Sequence, residues 1–242
     1  MPDLTACDAV LFDLDGVITP TAEVHMRAWR AMFERLFAEW DIEPPYTDSD
    51  YFDHLDGKKR YDGVAAVLRS RDIEIPWGQP SDPPDADTVC GVGNRKNEVF
   101  SRVLREEGIR PYPGSIALLD ALAAAGTPVA IVSSSKNARE VLTAAGVIDR
   151  FPVIMDGLIA EAEHLPSKPA PDVFLEAARL CGVEPARAAA VEDAISGVQS
   201  AAAGGFGVIV GVDRGAGAEP LAQAGATIVV SDLAELVPSS HP

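Results

Sequence analysis

The tightest constraint on the fold is an alternation. Runs of four or five apolar residues, "AVLF" (9–12), "PVAIV" (128–132), "AAAV" (188–191), "GVIV" (207–210) and "TIVV" (227–230), are separated by segments of helical period. Runs this short and this continuously apolar read as strands buried on both faces. Between them, "SIALLDALAAAG" and "PDVFLEAARLCG" end in Gly126 and Gly182, residues suited to a helix C-terminus, and "AISGVQSAAAGG" continues the rhythm. Strands alternating with helices predict the α/β class, with a parallel sheet covered on both faces. In such sheets ligands bind beyond the carboxyl ends of the strands.

Residues 22–108 break the rhythm. "AEVHMRAWRAMFERLFAEW" is helical, with Trp29, Met32, Phe33, Leu36, Phe37 and Trp40 on one apolar stripe. Thr21 is expected as its N-cap, and Glu23 suits its first turn. A second helix is expected near 60–71. The Pro-, Gly- and Asp-rich "IEIPWGQPSDPPDADTVCGVG" then reads as a loop, and a third helix is expected from Asn94 to Glu107. The expectation is an α/β core of 1–21 and 109–242, interrupted by a helical cap domain of 22–108.

Composition narrows the partners. A net charge of −17 argues against nucleic acid or an anionic membrane surface. No run of about 18 apolar residues offers a membrane span, and the first residues lack the features of a signal peptide. Cys7, Cys90 and Cys181 are scattered, with neither a disulfide framework nor metal-binding spacing. A cytoplasmic monomer is expected. The five lysines, Lys58, Lys59, Lys96, Lys136 and Lys168, all lie in or beside the segments that carry chemistry. In so acidic a chain, an anionic substrate needs local positive charge, from lysines and a divalent cation.

Four segments stand where strands end or helices open. Asp13 and Asp15 follow the first apolar run and precede Gly16. One residue apart in extended chain, they share a face and repel each other unless a cation neutralises them or their roles differ. "VSSSKN" (132–137) offers small hydroxyls and backbone N–H groups at a helix start, which suits an anion; the competing reading is a Ser-rich cap. "SKPAPD" (167–172) places Lys168 before a Pro-initiated helix, where a lysine is otherwise a solvated charge. "VEDAISG" (191–197) brings a second acid pair, Glu192 and Asp193, which otherwise reads as a turn.

In that order, acid pair, serine, lysine and acid pair, the chain resembles the haloacid dehalogenase superfamily over essentially its whole length. "FDLDGVITPTAEVHMRAW", "LDGKKRYD", "RKN", "SSSKN" and "SKPAPD" resemble its β-phosphoglucomutase-like family most. The resemblance implies a Rossmann-like core with a helical cap and a small phosphorylated sugar as substrate. It implies Asp13 as nucleophile forming an aspartyl-phosphate, and Asp15 as general acid/base. It implies Mg²⁺ held by Asp13, Asp193 and the Asp15 carbonyl, with Glu192 as a further metal-associated acid. Ser133 and Lys168 would serve the phosphoryl oxygens. Thr21 would orient Asp15, and His25 would reach Asp15 or the sugar. Arg60, Lys96, Lys136 and Asn137 would bind phosphate or sugar, with Gly57 and Ser135 in the same segments and Trp29 as a sugar platform. For Trp29 the competing reading is cap core; for His25 it is a solvent-facing position.

The implied reaction interconverts β-D-glucose 1-phosphate and glucose 6-phosphate through the 1,6-bisphosphate. The alternatives are a sugar-phosphate phosphatase on the same scaffold and a non-enzymatic, receiver-like phospho-acceptor. Two features depart from the family pattern. Pro20 stands where an acidic or amide residue is usual and pushes Thr19 toward extended backbone, and the 73–94 loop is long.

Overall fold

A computed structural model describes residues 2–55 and 60–238. The chain divides into two compact units: Met1–Thr21 with Ile109–Pro242, and Ala22–Gly108.

In the first unit, six strands among the described residues form one parallel sheet. These are β1 (Val10–Phe12), β2 (Val129–Val132), β3 (Val153–Met155), β4 (Ala189–Glu192), β5 (Val208–Val212) and β6 (Ile228–Val230), in the order β3-β2-β1-β4-β5-β6. The central strand is wholly buried, with Leu11 level with Ala130 of β2 and Ala190 of β4. Sequence order reverses direction on either side of β1. The carboxyl ends of β2, β1 and β4 therefore open where such sheets bind ligands. The sheet is the one the apolar runs predict, except that β3 was not foreseen. It is an edge strand of three residues and does not stand out from its flanking apolar residues Phe151 and Ile159.

Flanking helices form where apolar residues fall on one face. In Asp172–Cys181, Val173, Phe174, Ala177 and Ala178 turn inward, and Phe174 meets Phe206 edge-on at 5.5 Å. Each large side chain buried there contributes about 1.5–3 kcal/mol. The helices Pro113–Ala125 and Asp172–Cys181 stop at Gly126 and Gly182, both left-handed.

The second unit is helical. Helix Thr21–Trp40 carries the aromatic stripe, and Phe33 stacks on Tyr46 (5.3 Å) and on Trp29 (5.6 Å). Trp40 lies at the edge of this cluster, partly buried. A buried ion pair joins Asp50 to Arg71, whose guanidinium lies 5.1 Å from the Phe37 ring. Burial opposes ionisation of Asp50, yet Arg71 and the Thr47 backbone hold its carboxyl below the usual range.

Two boundaries correct the sequence reading. Thr21 is the first helical residue of its helix, not a cap outside it. The helix expected from Asn94 begins at Val89, because Thr88 caps it by accepting from the Gly91 N–H at 3.0 Å. Gly91 and Gly93 lowered the helical propensity of this stretch. Packing explains Gly91, since a Cβ there would sit 2.3 Å from the Ala86 carbonyl oxygen. The preceding loop is organised by Asp82, which accepts from the Thr88 hydroxyl (2.6 Å) and the Gln79 N–H (3.1 Å). Cys7, Cys90 and Cys181 are free thiols, and no described helix is long and apolar enough to cross a membrane.

Candidate active site

Asp13 is the first residue beyond β1, and its N–H still extends the ladder by donating to the Val191 carbonyl at 2.9 Å. Glu192 ends β4 and Asp193 follows it. One carboxylate oxygen from each of these three residues lies within 4.8 Å of the other two. Lys168 enters from the loop before helix Asp172–Cys181. Its ammonium spends all three protons, on Asp13 Oδ1 (2.6 Å), Glu192 Oε1 (2.5 Å) and the Val132 carbonyl (2.9 Å). Burial works against the charged lysine, but Asp13 and Glu192 outweigh it and hold the ammonium above the ordinary lysine range.

One lysine does not balance this much negative charge. Burial, opposed by Lys168 and reinforced by Asp13, raises the Glu192 carboxyl to about 7. Burial, then Asp13, Glu192 and Asp15, raises Asp193 to about 8. Crowded carboxylate oxygens with excess charge are the donor set that a hard divalent cation such as Mg²⁺ fits.

Two glycines make the crowding possible. Gly16 has φ +79, and a Cβ there would fall 1.8 Å from Asp193 Oδ2. Gly197 leaves room for Glu192, whose carboxylate atoms lie 1.9–2.2 Å from where its Cβ would stand. The role of Gly197 was not visible in the sequence, because its neighbour is distant in space only until the helix after β4 folds back.

The two aspartates of the opening motif have different surroundings. Asp13 is paired with a cation. Asp15 accepts a hydrogen bond from the Thr21 hydroxyl. Asp15 also forms an isolated bridge with Thr19, which is consistent with the extended backbone that Pro20 imposes. The turn between them is held by Gly16 N–H to the Thr19 carbonyl (2.8 Å).

Beyond β2, Ser133 is buried at 5 % exposure. Its Oγ accepts from the Ser135 N–H, and Ser135 Oγ accepts from the Asn137 N–H, each at 3.1 Å. Two amides expected to be open to an anion are therefore engaged locally, while the Ser133 hydroxyl keeps its own proton to donate. Lys136 is half-exposed and pairs with Glu161 at 2.7 Å.

The second unit gathers its own basic group. Lys96 Nζ lies 2.6 Å from His25 Nδ1 and over the Trp29 and Phe100 rings at 5.0 and 4.8 Å. His25 stacks on Phe100 at 4.4 Å. Burial first, then Lys96 and Arg60, hold the imidazole well below its usual 6.5. Arg60 donates to Asn97 Oδ1 at 2.9 Å. His25 is thus neither solvent-facing nor isolated. Trp29, 6 % exposed, belongs to the apolar cluster of this unit, so its indole face serves packing and Lys96. Gly57, Lys58 and Lys59 lie outside the described residues.

With this geometry in view, the comparisons with known proteins decide the family. A family model described as haloacid dehalogenase-like hydrolase matches residues 7–205. The chain belongs to the haloacid dehalogenase-like family. It is 49 % identical over 239 residues to a β-phosphoglucomutase of Mycobacterium bovis, covering 95 % of this chain and 91 % of that one. The crystal structure of β-phosphoglucomutase from Clostridium difficile aligns with a TM-score of 0.73 at 26 % identity, over 95 % of this chain and 93 % of that one. A CbbY variant from Rhodobacter sphaeroides, solved in complex with xylulose-1,5-bisphosphate, aligns with the same score and identity over 95 % and 96 %. This haloacid dehalogenase-like chain is an enzyme of phosphoryl transfer, of the phosphotransferase and isomerase kind.

Proposed function

We propose that the enzyme interconverts β-D-glucose 1-phosphate and glucose 6-phosphate through the 1,6-bisphosphate, with Asp13 carrying the phosphoryl group. The observation that carries this reading is the unlike pairing of two neighbouring aspartates, Asp13 on the Lys168 ammonium and Asp15 on the Thr21 hydroxyl. The Lys168 ammonium holds the Asp13 carboxylate in place to attack phosphorus. Asp15, oriented by the Thr21 hydroxyl, would carry a proton to the sugar oxygen as its bond to phosphorus breaks. The free 6-hydroxyl of β-D-glucose 1-phosphate gives its proton to Asp15 and takes the phosphoryl group from phosphorylated Asp13, forming the 1,6-bisphosphate. Once the bisphosphate is bound the other way round, its C1 phosphoryl returns to Asp13, Asp15 protonates the C1 oxygen, and glucose 6-phosphate leaves.

Mg²⁺, held by Asp13, Asp193 and the Asp15 carbonyl with Glu192 beside them, would neutralise charge on the transferring group. Lys168 fixes the attacking carboxylate, and Ser133 donates to a phosphoryl oxygen. Rate enhancement in such a transfer is mostly positioning and electrostatics. The residues 22–108 act as a cap. Arg60, whose planar fork suits two phosphate oxygens, would hold the phosphate that is not reacting, with Lys96 and His25 on the sugar and Lys136 and Asn137 on phosphate. The likeness to a protein solved with a sugar bisphosphate supports a bisphosphate as intermediate.

The family description as a hydrolase favours one rival, a sugar-phosphate phosphatase in which water attacks the phospho-aspartate. A single assay separates them. β-D-glucose 1-phosphate, Mg²⁺ and a trace of glucose 1,6-bisphosphate are incubated with enzyme, and glucose 6-phosphate and free phosphate are followed together. Glucose 6-phosphate formed without phosphate release is the expected result. Phosphate release without isomerisation overturns the mutase reading in favour of the hydrolase.

A further inference from the structure

The turn after the two aspartates, residues 14–21, holds three consecutive carbonyls that point to three donors of the same unit. The Ser115 hydroxyl donates to the Val17 carbonyl at 2.6 Å, and the Tyr112 N–H donates to the Ile18 carbonyl at 3.0 Å. The third donor is Arg214, beyond β5 and 198 residues from its partner, whose Nε–H donates to the Gly16 carbonyl at 3.0 Å. Nη1 of the same guanidinium donates to the Ser231 carbonyl at 3.1 Å, and its carbon lies 3.8 Å from the centre of the Tyr112 ring. Nη2 is buried without a hydrogen-bond partner, and the nearest carboxylate, Asp232, is 4.0 Å away.

A guanidinium in this setting is costly, because one of its nitrogens is desolvated without compensation. A solvated arginine on a loop would avoid that cost. Here the fork is spread between two loops and pressed flat on an aromatic ring, and one of the loops is the turn that carries Asp15. Tyr112 belongs to the segment by which the chain returns to the first unit, so the guanidinium joins the outgoing and returning segments.

We propose that Arg214 is a positioning residue for Asp15, acting through the Gly16 carbonyl. This rests on the reading that Asp15 moves the proton. Arg214 touches neither aspartate; it fixes the backbone between Asp15 and Thr21, and so the hydrogen bond those two share. Displacement of a reacting group by about 1 Å can cost about a hundredfold in rate. Lysine at this position keeps the charge but cannot reach both carbonyls while lying flat on the ring.

The test compares wild type, Arg214→Met, Arg214→Lys and Asp15→Asn in full-length enzyme, by steady-state kinetics and by amide hydrogen exchange without substrate. Arg214→Met is expected to lower kcat about 10- to 100-fold with KM within about threefold. Arg214→Lys should recover only part of that loss. Exchange should quicken at Gly16, Ile18 and Thr19, whose N–H groups hold the turn, and stay slow along β1. A folded Arg214→Met enzyme with wild-type kcat and unchanged exchange at these amides overturns the proposal. So does a rise in KM at constant kcat, which would make Arg214 a substrate ligand. If Arg214→Met does not fold, Arg214→Lys and Tyr112→Leu carry the same readouts, and wild-type behaviour in both overturns it. Activity surviving in Asp15→Asn would sink the assignment of Asp15, while the exchange measurement would still decide whether Arg214 holds the turn.

Discussion

Gly16 and Gly126 make a controlled pair. Both have left-handed backbone, with φ +79 and +73, so an alanine at either carries the same conformational cost, about 1–2 kcal/mol. Their surroundings differ completely. A Cβ on Gly126 meets nothing within 4 Å, whereas a Cβ on Gly16 falls 1.8 Å from Asp193 Oδ2 and 2.5 Å from Asp193 Cγ. To restore even a 3.0 Å contact the carboxylate must retreat by about 1.2 Å. Asp193 is one of the three carboxylates that converge beside Lys168. Gly126→Ala should therefore lose about 1–2 kcal/mol of stability, by chemical denaturation, and keep its kcat. Gly16→Ala should lose at least that much and fall about a hundredfold or more in kcat/KM, because a reacting assembly shifts by more than an ångström. Its midpoint for Mg²⁺ activation should also rise. If Gly16→Ala stays within about threefold of Gly126→Ala in kcat/KM, the close approach of Gly16 to Asp193 has no part in catalysis and the reasoning fails.

Lys168→Met leaves Asp13 and Glu192 without the ammonium that joins them, in a site where Glu192 is 1 % exposed; stability should fall by about 3–5 kcal/mol and turnover should vanish. Denaturation curves that superimpose on wild type would refute the pairing. Thr21→Val keeps the shape of the side chain and removes its hydrogen bond to Asp15, so kcat should fall about 10- to 100-fold with the fold intact; an unchanged kcat would mean Asp15 needs no orienting. His25 gives a pH prediction. In the unfolded chain it titrates near 6.5, and in the fold well below, so the native state loses stability as pH falls below 6.5. Between pH 7 and 5 the wild type should therefore lose stability more steeply than His25→Gln, by up to about 1.4 kcal/mol per pH unit. Parallel curves would refute the depressed imidazole.

What could be read from the sequence follows a physical pattern. The parallel sheet was legible because a strand buried on both faces must be apolar throughout, as "AVLF" and "PVAIV" are. The strand β3 was not, since three residues at a sheet edge leave no period to recognise. Helix Val89–Glu107 was placed five residues short because Gly91 and Gly93 look like loop residues until Ala86 and Tyr61 are seen packed against them. At the site, Asp13, Lys168, Glu192 and Asp193 could be named as chemistry-bearing residues, and the fold brings them together. Their mutual crowding, and the rise of Asp193 to about 8, exist only in three dimensions. Arg214 carries no motif; its distance of 198 residues from Gly16 hides it from any local reading.

The central claim is that Asp13 itself takes the phosphoryl group. The most direct measurement is rapid acid quench of enzyme, Mg²⁺ and glucose 1,6-bisphosphate, followed by mass spectrometry of the peptide that contains Asp13 and Asp15. The account predicts one added phosphoryl group on wild-type enzyme, placed at Asp13 by fragmentation and absent from Asp13→Asn. A label at Asp15, or turnover with Asp13→Asn and no labelled peptide, would contradict it.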